Sequence, residues 1–130
     1  MAVSFGYHSR NMMQAREVVT GCQKALGSGD WKAATRFLKD NMKFRGPIAE
    51  YGRPEAYIED LKRLHNIVKG VEMRKVFQDG SDVCLLYDMV TNTPAGTAFI
   101  SEWYHVEGEK VASIRVVFNA RPFAPMFAKS

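Results

Sequence analysis

Apolar positions recur with a helical period in the first half of the chain and with a strand period in the second. Ala15, Val18, Val19, Cys22 and Leu26 follow i, i+3, i+4, i+7, i+11 and lay one stripe along a helix from about Asn11 to Leu26. Asn11 with Gln14 three residues later resembles a capping box, and Gly27-Ser28-Gly29 ends the helix. Asp30 caps a shorter helix, about Trp31 to Asp40, with Ala34, Phe37 and Leu38 turned inward. Met42 and Phe44 alternate with Lys43 and Arg45, so a short strand follows; Gly46-Pro47 breaks it, and Tyr51-Gly52 is a turn. Pro54 opens a third helix at the position where a missing N–H costs nothing. Tyr57, Ile58, Leu61, Leu64, His65 and Val68 form its stripe, and Gly70 closes it.

After Gly70 the period changes from 3.6 to 2. Four strands are predicted: about Val71 to Gln78, Asp82 to Thr91, Thr97 to Val106 and Lys110 to Asn119. Asp79-Gly80-Ser81, Thr93-Pro94-Ala95-Gly96 and Glu107-Gly108-Glu109 are the turns between them. Arg121-Pro122-Phe123-Ala124-Pro125 leaves the sheet, since two prolines cannot serve a central strand. Helices first and a meander afterwards is an α+β arrangement. Phe99, Ile100, Trp103, Tyr104 and Val106 cannot all face one side of a strand. Both faces of the sheet are therefore expected to be covered, one by the helices and the other by a second subunit.

The 130 residues make one domain, with 46% hydrophobic and 25% charged residues, an ordinary globular mix. No apolar run reaches the roughly 18–20 residues of a membrane-spanning helix. The first ten residues, with Phe5, Tyr7, His8 and Ser9, do not read as a secretory signal, so the expected compartment is a reducing cytoplasm. Cys22 and Cys84 sit inside apolar patterns and read as buried free thiols. The net charge of +4 permits a nucleic-acid partner. However, the bases are spread thinly, and no aromatic–basic platform supports such a partner. His8, His65 and His105 are scattered and make no metal site, and no cofactor motif is present. His65 reads as a packing residue at the edge of its stripe, and His105 as an interface residue. Phe118, Phe123, Met126 and Phe127 give an apolar C-terminus, read as a lid or dimer contact.

Several strings occur in a telling order: Ala25-Leu-Gly-Ser-Gly-Asp30-Trp31, Phe44-Arg-Gly-Pro47, Gly52 before the third helix, Asp79-Gly80, and Gly108-Glu-Lys110-Val111-Ala-Ser-Ile114-Arg115. Together they resemble the nuclear transport factor 2-like superfamily, near its SnoaL-like and ketosteroid-isomerase-like branch, over about residues 12–123. The resemblance implies a strongly curved antiparallel sheet wrapped around the long helix, a cystatin-like cone. It further implies an apolar pocket at the open end and dimers through the outer sheet face. The fold hosts isomerases, cyclases, dehydratases, epoxide hydrolases and binding modules, so it does not decide function.

The resemblance also locates candidate chemistry. Ketosteroid isomerases would place a base just before Pro47, where this chain has Gly46 beside Arg45. Their oxyanion tyrosine would fall near Cys22, a weak donor, and their protonated carboxyl at or near Glu102. A limonene-epoxide-hydrolase-like relay would need an Arg near Ile100 and an acid near Val116, and both are apolar here.

Ile100, Glu102, Tyr104 and Val106 share one strand face. If that face looks into the cone, Glu102 is a carboxyl in an apolar pocket and a usable general acid or base. The alternatives are a Glu paired with Arg74 or Arg115, or one exposed near a rim. Cys22, Phe44, Tyr57, Tyr87, Tyr104 and Phe118 are the expected pocket lining, and Tyr57, Tyr87 or Tyr104 can orient a substrate oxygen. Asp88 must either pair or face outward. Two functions follow. One is acid–base isomerisation, cyclisation or dehydration of a small apolar compound. The other is a non-catalytic dimeric module that binds a ligand or a protein.

Overall fold

A computed structural model describes residues 14–127. His8, Asn11 and the side chain of Phe127 lie outside the described residues. Helix α1 spans Ala15–Ser28. It starts at Ala15 and not near Asn11, and its capping box is Gln14 with Glu17 in place of the expected Asn11 with Gln14, the Gln14 N–H donating to Glu17 Oε1 at 2.9 Å. Gly29 ends it at φ 75°, a left-handed conformation that suits glycine. Ala15, Val18, Val19, Cys22 and Ala25 are its buried stripe, whereas Leu26 is only half-buried. Gly21 lies in mid-helix because a side chain there would meet the Phe37 ring; a Cβ would sit 2.6 Å from its far edge.

Helix α2 is Trp31–Arg36, with Asp30 accepting the Ala33 N–H at 3.2 Å. It is shorter than the expected Trp31–Asp40, and strand β1 runs Leu38–Arg45 instead of starting near Met42. The cause is a partner far along the chain. Val111 donates its N–H to the Phe37 carbonyl at 2.7 Å, and Leu38 pairs with Val111 in a parallel ladder. Leu38 and Met42 are buried beneath that ladder, while a register shift leaves Asp40 and Asn41 exposed.

The expected Tyr51-Gly52 turn is replaced at Tyr51 by a short strand β2, Glu50–Tyr51. Stacking of Phe44 on Tyr51 at 5.9 Å and the Arg45–Glu50 ion pair at 3.0 Å hold it against β1. Helix α3 is Pro54–His65, with proline at its first position. It ends before the expected stop at Gly70. Gly70 instead lies within strand β3, Val68–Asp79, opposite Val90. A hydrogen bond from the Asn92 N–H to the Ile67 carbonyl, 2.9 Å, anchors the chain to the sheet there.

Strands β4 (Asp82–Thr91), β5 (Thr97–Glu107) and β6 (Lys110–Val117) complete the meander. A 3-10 turn, Arg121–Phe123, and helix α4, Ala124–Phe127, follow. The six strands are ordered β2-β1-β6-β5-β4-β3, antiparallel except for β1 against β6. Buried and less buried positions alternate strictly along β4 and β5. Register irregularities in β3 and between β5 and β6 accompany the curvature of the sheet. The N-terminal helices pack on its inner face, so the α+β cone is the observed fold.

Among the described residues, nothing from this chain covers the outer face. Phe77, Phe99, Trp103 and Val117 are 53, 58, 47 and 70% exposed. Asp88 is paired, accepting from Arg74 Nε at 2.8 Å. No helix among the described residues is long and apolar enough to cross a membrane.

Candidate functional site

The side of α1 next to its buried stripe carries Arg16, Val19, Thr20, Gln23, Lys24 and Gly27, spaced so that they share one face. That face, α3 and the inner side of β3, β4 and β5 enclose a cavity of about 600 Å³. Val19, Leu61, Leu64, Val68, Leu85 and Met89 give it apolar walls. Its buried or half-buried polar side chains are Gln23, Tyr57, Tyr87 and Glu102, while Thr20 and His65 line it at exposed positions.

Glu102 is 5% exposed and shares the inner face with Ile100, Tyr104 and Val106. Tyr87 donates its hydroxyl to Glu102 Oε1 at 2.9 Å, and Gln23 donates Nε2 to the same oxygen at 3.2 Å. Gln23 also donates to the Tyr104 hydroxyl. Burial pushes the Glu102 carboxyl up to about 7, because little water is available to solvate its charge. Hydrogen bonds from Tyr87, Tyr104 and Gln23 act against burial and keep the ionised form within reach near neutral pH. Neither arginine considered as a partner is present. Arg74 is engaged with Asp88 and Glu72, and Arg115 stands opposite Trp103 on the outer face.

Tyr57 is 2% exposed and lines the same cavity. Its ring stacks on Phe44, centroids 4.8 Å apart. Among the described residues its hydroxyl has no hydrogen-bond partner, yet no buried side-chain oxygen or nitrogen is left unsatisfied. The Tyr57 hydroxyl therefore opens onto the cavity, free to donate to whatever occupies it. Burial pushes its pKa well up, which keeps the proton on the oxygen.

Of the six expected lining residues, the structure places Tyr57 and Tyr87 on the cavity and the other four elsewhere. Cys22 and Tyr104 are fully buried behind the wall, because α1 packs tightly on the inner sheet face there. Burial, then the nearby Glu102 charge, pushes the Cys22 thiol up to about 12, so it is an inert core thiol. Phe44 lies behind Tyr57 and borders a separate shallow groove with Tyr51 and Arg115. Phe118 follows the end of β6 and packs edge-on against Phe123 at 5.8 Å.

His65 meets Trp31 edge-on at 5.3 Å, and both line the cavity. His105 lies beside Asp82, Nδ1 to Oδ1 2.9 Å, and Trp103 donates to the same oxygen at 2.9 Å. Gly46 supplies no group, and its neighbour Arg45 is engaged with Glu50.

Gln23 is the site residue the sequence reading missed. It follows Cys22 and lies one turn after Val19. A polar residue at that offset borders the buried stripe, which is the signal that could have singled it out.

No protein-family model matches the chain, and no curated protein matches its sequence. Solved structures do match. An NTF2-like protein of unknown function from Cytophaga hutchinsonii is 31% identical, with 88% of this chain and 95% of that chain covered and a TM-score of 0.73. A candidate SnoaL-like polyketide cyclase from Shewanella putrefaciens is 13% identical, covering 87% and 95%, TM-score 0.73. An LEH-like epoxide hydrolase from M. tuberculosis is 15% identical, covering 88% and 90%, TM-score 0.71. The last two share the fold.

Proposed function

The chain belongs to the NTF2-like family, and from that premise we propose that its cavity takes a small apolar carbonyl compound and moves a proton at the carbon beside the carbonyl. Glu102 in its ionised form removes that proton. The Tyr57 hydroxyl donates to the carbonyl oxygen as negative charge gathers on it. Protonated Glu102 then returns the proton to another carbon, which is isomerisation, or to a departing oxygen, which is dehydration. The observation that supports this reading is one cavity holding both a buried carboxyl that titrates near neutral pH and an unengaged hydroxyl. A carboxyl poised near the working pH is suited to both accept and release a proton.

Exchange of carbon-bound hydrogen tests the proposal without a known product. The protein is incubated in deuterated buffer with a panel of apolar ketones, lactones and enones, and loss of the α-hydrogen signal is followed by NMR. Exchange above buffer is expected with at least one class, and Glu102→Gln is expected to lower it about 10²- to 10⁴-fold. Tyr57→Phe should slow it about 100-fold, the effect of losing one oxyanion donor. The same variant should unfold at nearly the wild-type temperature, since the lost hydroxyl has no protein partner. Compounds that bind saturably but never exchange would instead favour the non-catalytic ligand-binding module. The absence of a carboxylate before Pro47 supports that second reading.

We propose in addition that the working form is a dimer through the outer sheet face. Phe99 and Trp103 alternate with inward residues on β5 and project to that side, with Phe77 on β3. Light scattering is expected to give twice the chain mass for the wild type and a folded monomer for Phe99→Glu/Trp103→Glu. A monomeric wild type would remove this proposal. Cys22 and Cys84 are free thiols on opposite sides of the sheet, Cys22 buried and Cys84 half-buried, and are placed too far apart to pair with each other.

A further inference from the structure

We propose that the molecule this cavity accepts is an amphipathic anion, its apolar body inside and its anionic head at the mouth between Arg16, Lys24 and Lys69. The inference rests on the reading that the cavity takes a small apolar molecule, and it adds the charge and orientation of that molecule. Arg16 and Lys24 lie on the cavity-facing side of α1, and Lys69 stands near the start of β3; all three line the cavity and are exposed.

No acid among the described residues pairs with these three, unlike several cations elsewhere on the surface. Lys62 meets Glu59 at 3.1 Å, Arg63 meets Asp60 at 3.0 Å, and Lys39 meets Glu107 at 2.7 Å. Arg74 carries both Asp88 and Glu72. Glu102 is the lining's one acid, and it lies buried at the inner end. The other charged side chains of the lining, Arg16, Lys24 and Lys69, are positive. Cations beside a low-dielectric hollow focus a positive potential into its opening and attract anions toward it.

The walls set the other half of the ligand. Val71 and Met73 of β3 face inward, opposite Met89 and Tyr87, yet they are 51 and 42% exposed. They extend the apolar lining of Val68, Leu85 and Met89 outward toward the basic rim. An apolar body seated there covers them, and its charged end meets the cations. An ionised Glu102 disfavours the reverse orientation.

Calorimetric titration with four probes of one chain length tests this: decanoate, decyl phosphate, methyl decanoate and decylammonium. At about pH 6 Glu102 is mostly protonated and contributes little charge. Decanoate and decyl phosphate are expected to bind at least about tenfold more tightly than methyl decanoate, with decylammonium weakest, and salt should erode the preference. Arg16→Gln/Lys24→Gln/Lys69→Gln should abolish the preference and leave methyl decanoate affinity within about twofold. Lys110→Gln/Arg121→Gln, which removes two charges away from the mouth, should preserve it. Equal binding of acid and ester by the wild type overturns the anion inference and leaves the apolar cavity reading intact. Equal loss of preference in the control variant overturns the placement of the head. Saturable binding of none of the probes overturns both the inference and the reading beneath it.

Discussion

The wild-type protein is expected to lose about 3 kcal/mol of stability between about pH 4.5 and pH 7, and Glu102→Gln to show no such loss. The folded-state pKa is raised, from 4.5 to about 7. Below pH 4.5 both folded and unfolded chains hold the proton, and stability is complete. Between the two values the unfolded chain ionises first, so rising pH favours unfolding. Above about 7 both states are ionised and the deficit stays constant. Asp82 and Glu107 move the opposite way, since their partners lower their pKa values, but they are too exposed to contribute much.

Urea midpoints at a series of pH values, taken for both proteins, isolate the Glu102 contribution as the difference between the curves. Parallel curves would show that the carboxyl is not held in a protonated, desolvated state. The same chemistry sets the expected rate profile. Exchange by a Glu102 base should rise through about pH 7 as stability falls, and Glu102→Gln should lower it about 10²- to 10⁴-fold. Ionising the base in its apolar surroundings thus costs the fold stability at the pH where the proposed reaction needs it.

Tyr104→Ala is expected to cost about 3–5 kcal/mol, a fall of roughly 10–20 °C in the thermal midpoint. Tyr104 is fully buried on β5 between the helix and the sheet, and its hydroxyl accepts from Gln23. Removing the ring leaves a cavity and strips Gln23 of a partner. Tyr104→Phe keeps the ring and should cost only about 1 kcal/mol, the net worth of a hydrogen bond. The two variants measured together separate packing from polar contact. A loss below about 1 kcal/mol in Tyr104→Ala would contradict its place in the core.

The elements most legible in the sequence are those whose pattern is local. Strand β4 falls at Asp82–Thr91 as read, because a run of apolar residues of strand length is bounded on each side by a glycine-containing turn. Helix α3 begins at Pro54 as read, since proline suits that one helical position. The reading fails where a distant segment decides. Leu38 to Asn41 carry no strand pattern, yet they follow β1 because β6 offers an unpaired edge. Gly70 looks like a helix stop and is a strand residue because Val90 lies opposite it.

The site divides along the same line. Period-two alternation was enough to put Glu102 on one face with Ile100, Tyr104 and Val106, and residue chemistry was enough to make a carboxyl there worth singling out. Whether that face looked inward, and that Tyr87 and Gln23 would meet the carboxyl, required the packed structure. So did the separation of Tyr57, which opens onto the cavity, from Tyr104, which is sealed behind it. Alternation and capping depend on neighbours a few residues apart and are written into the chain. Burial, pKa and the freedom of a hydroxyl depend on atoms from α1, α3 and β3 to β5, which only the curvature of the sheet around the helix brings together.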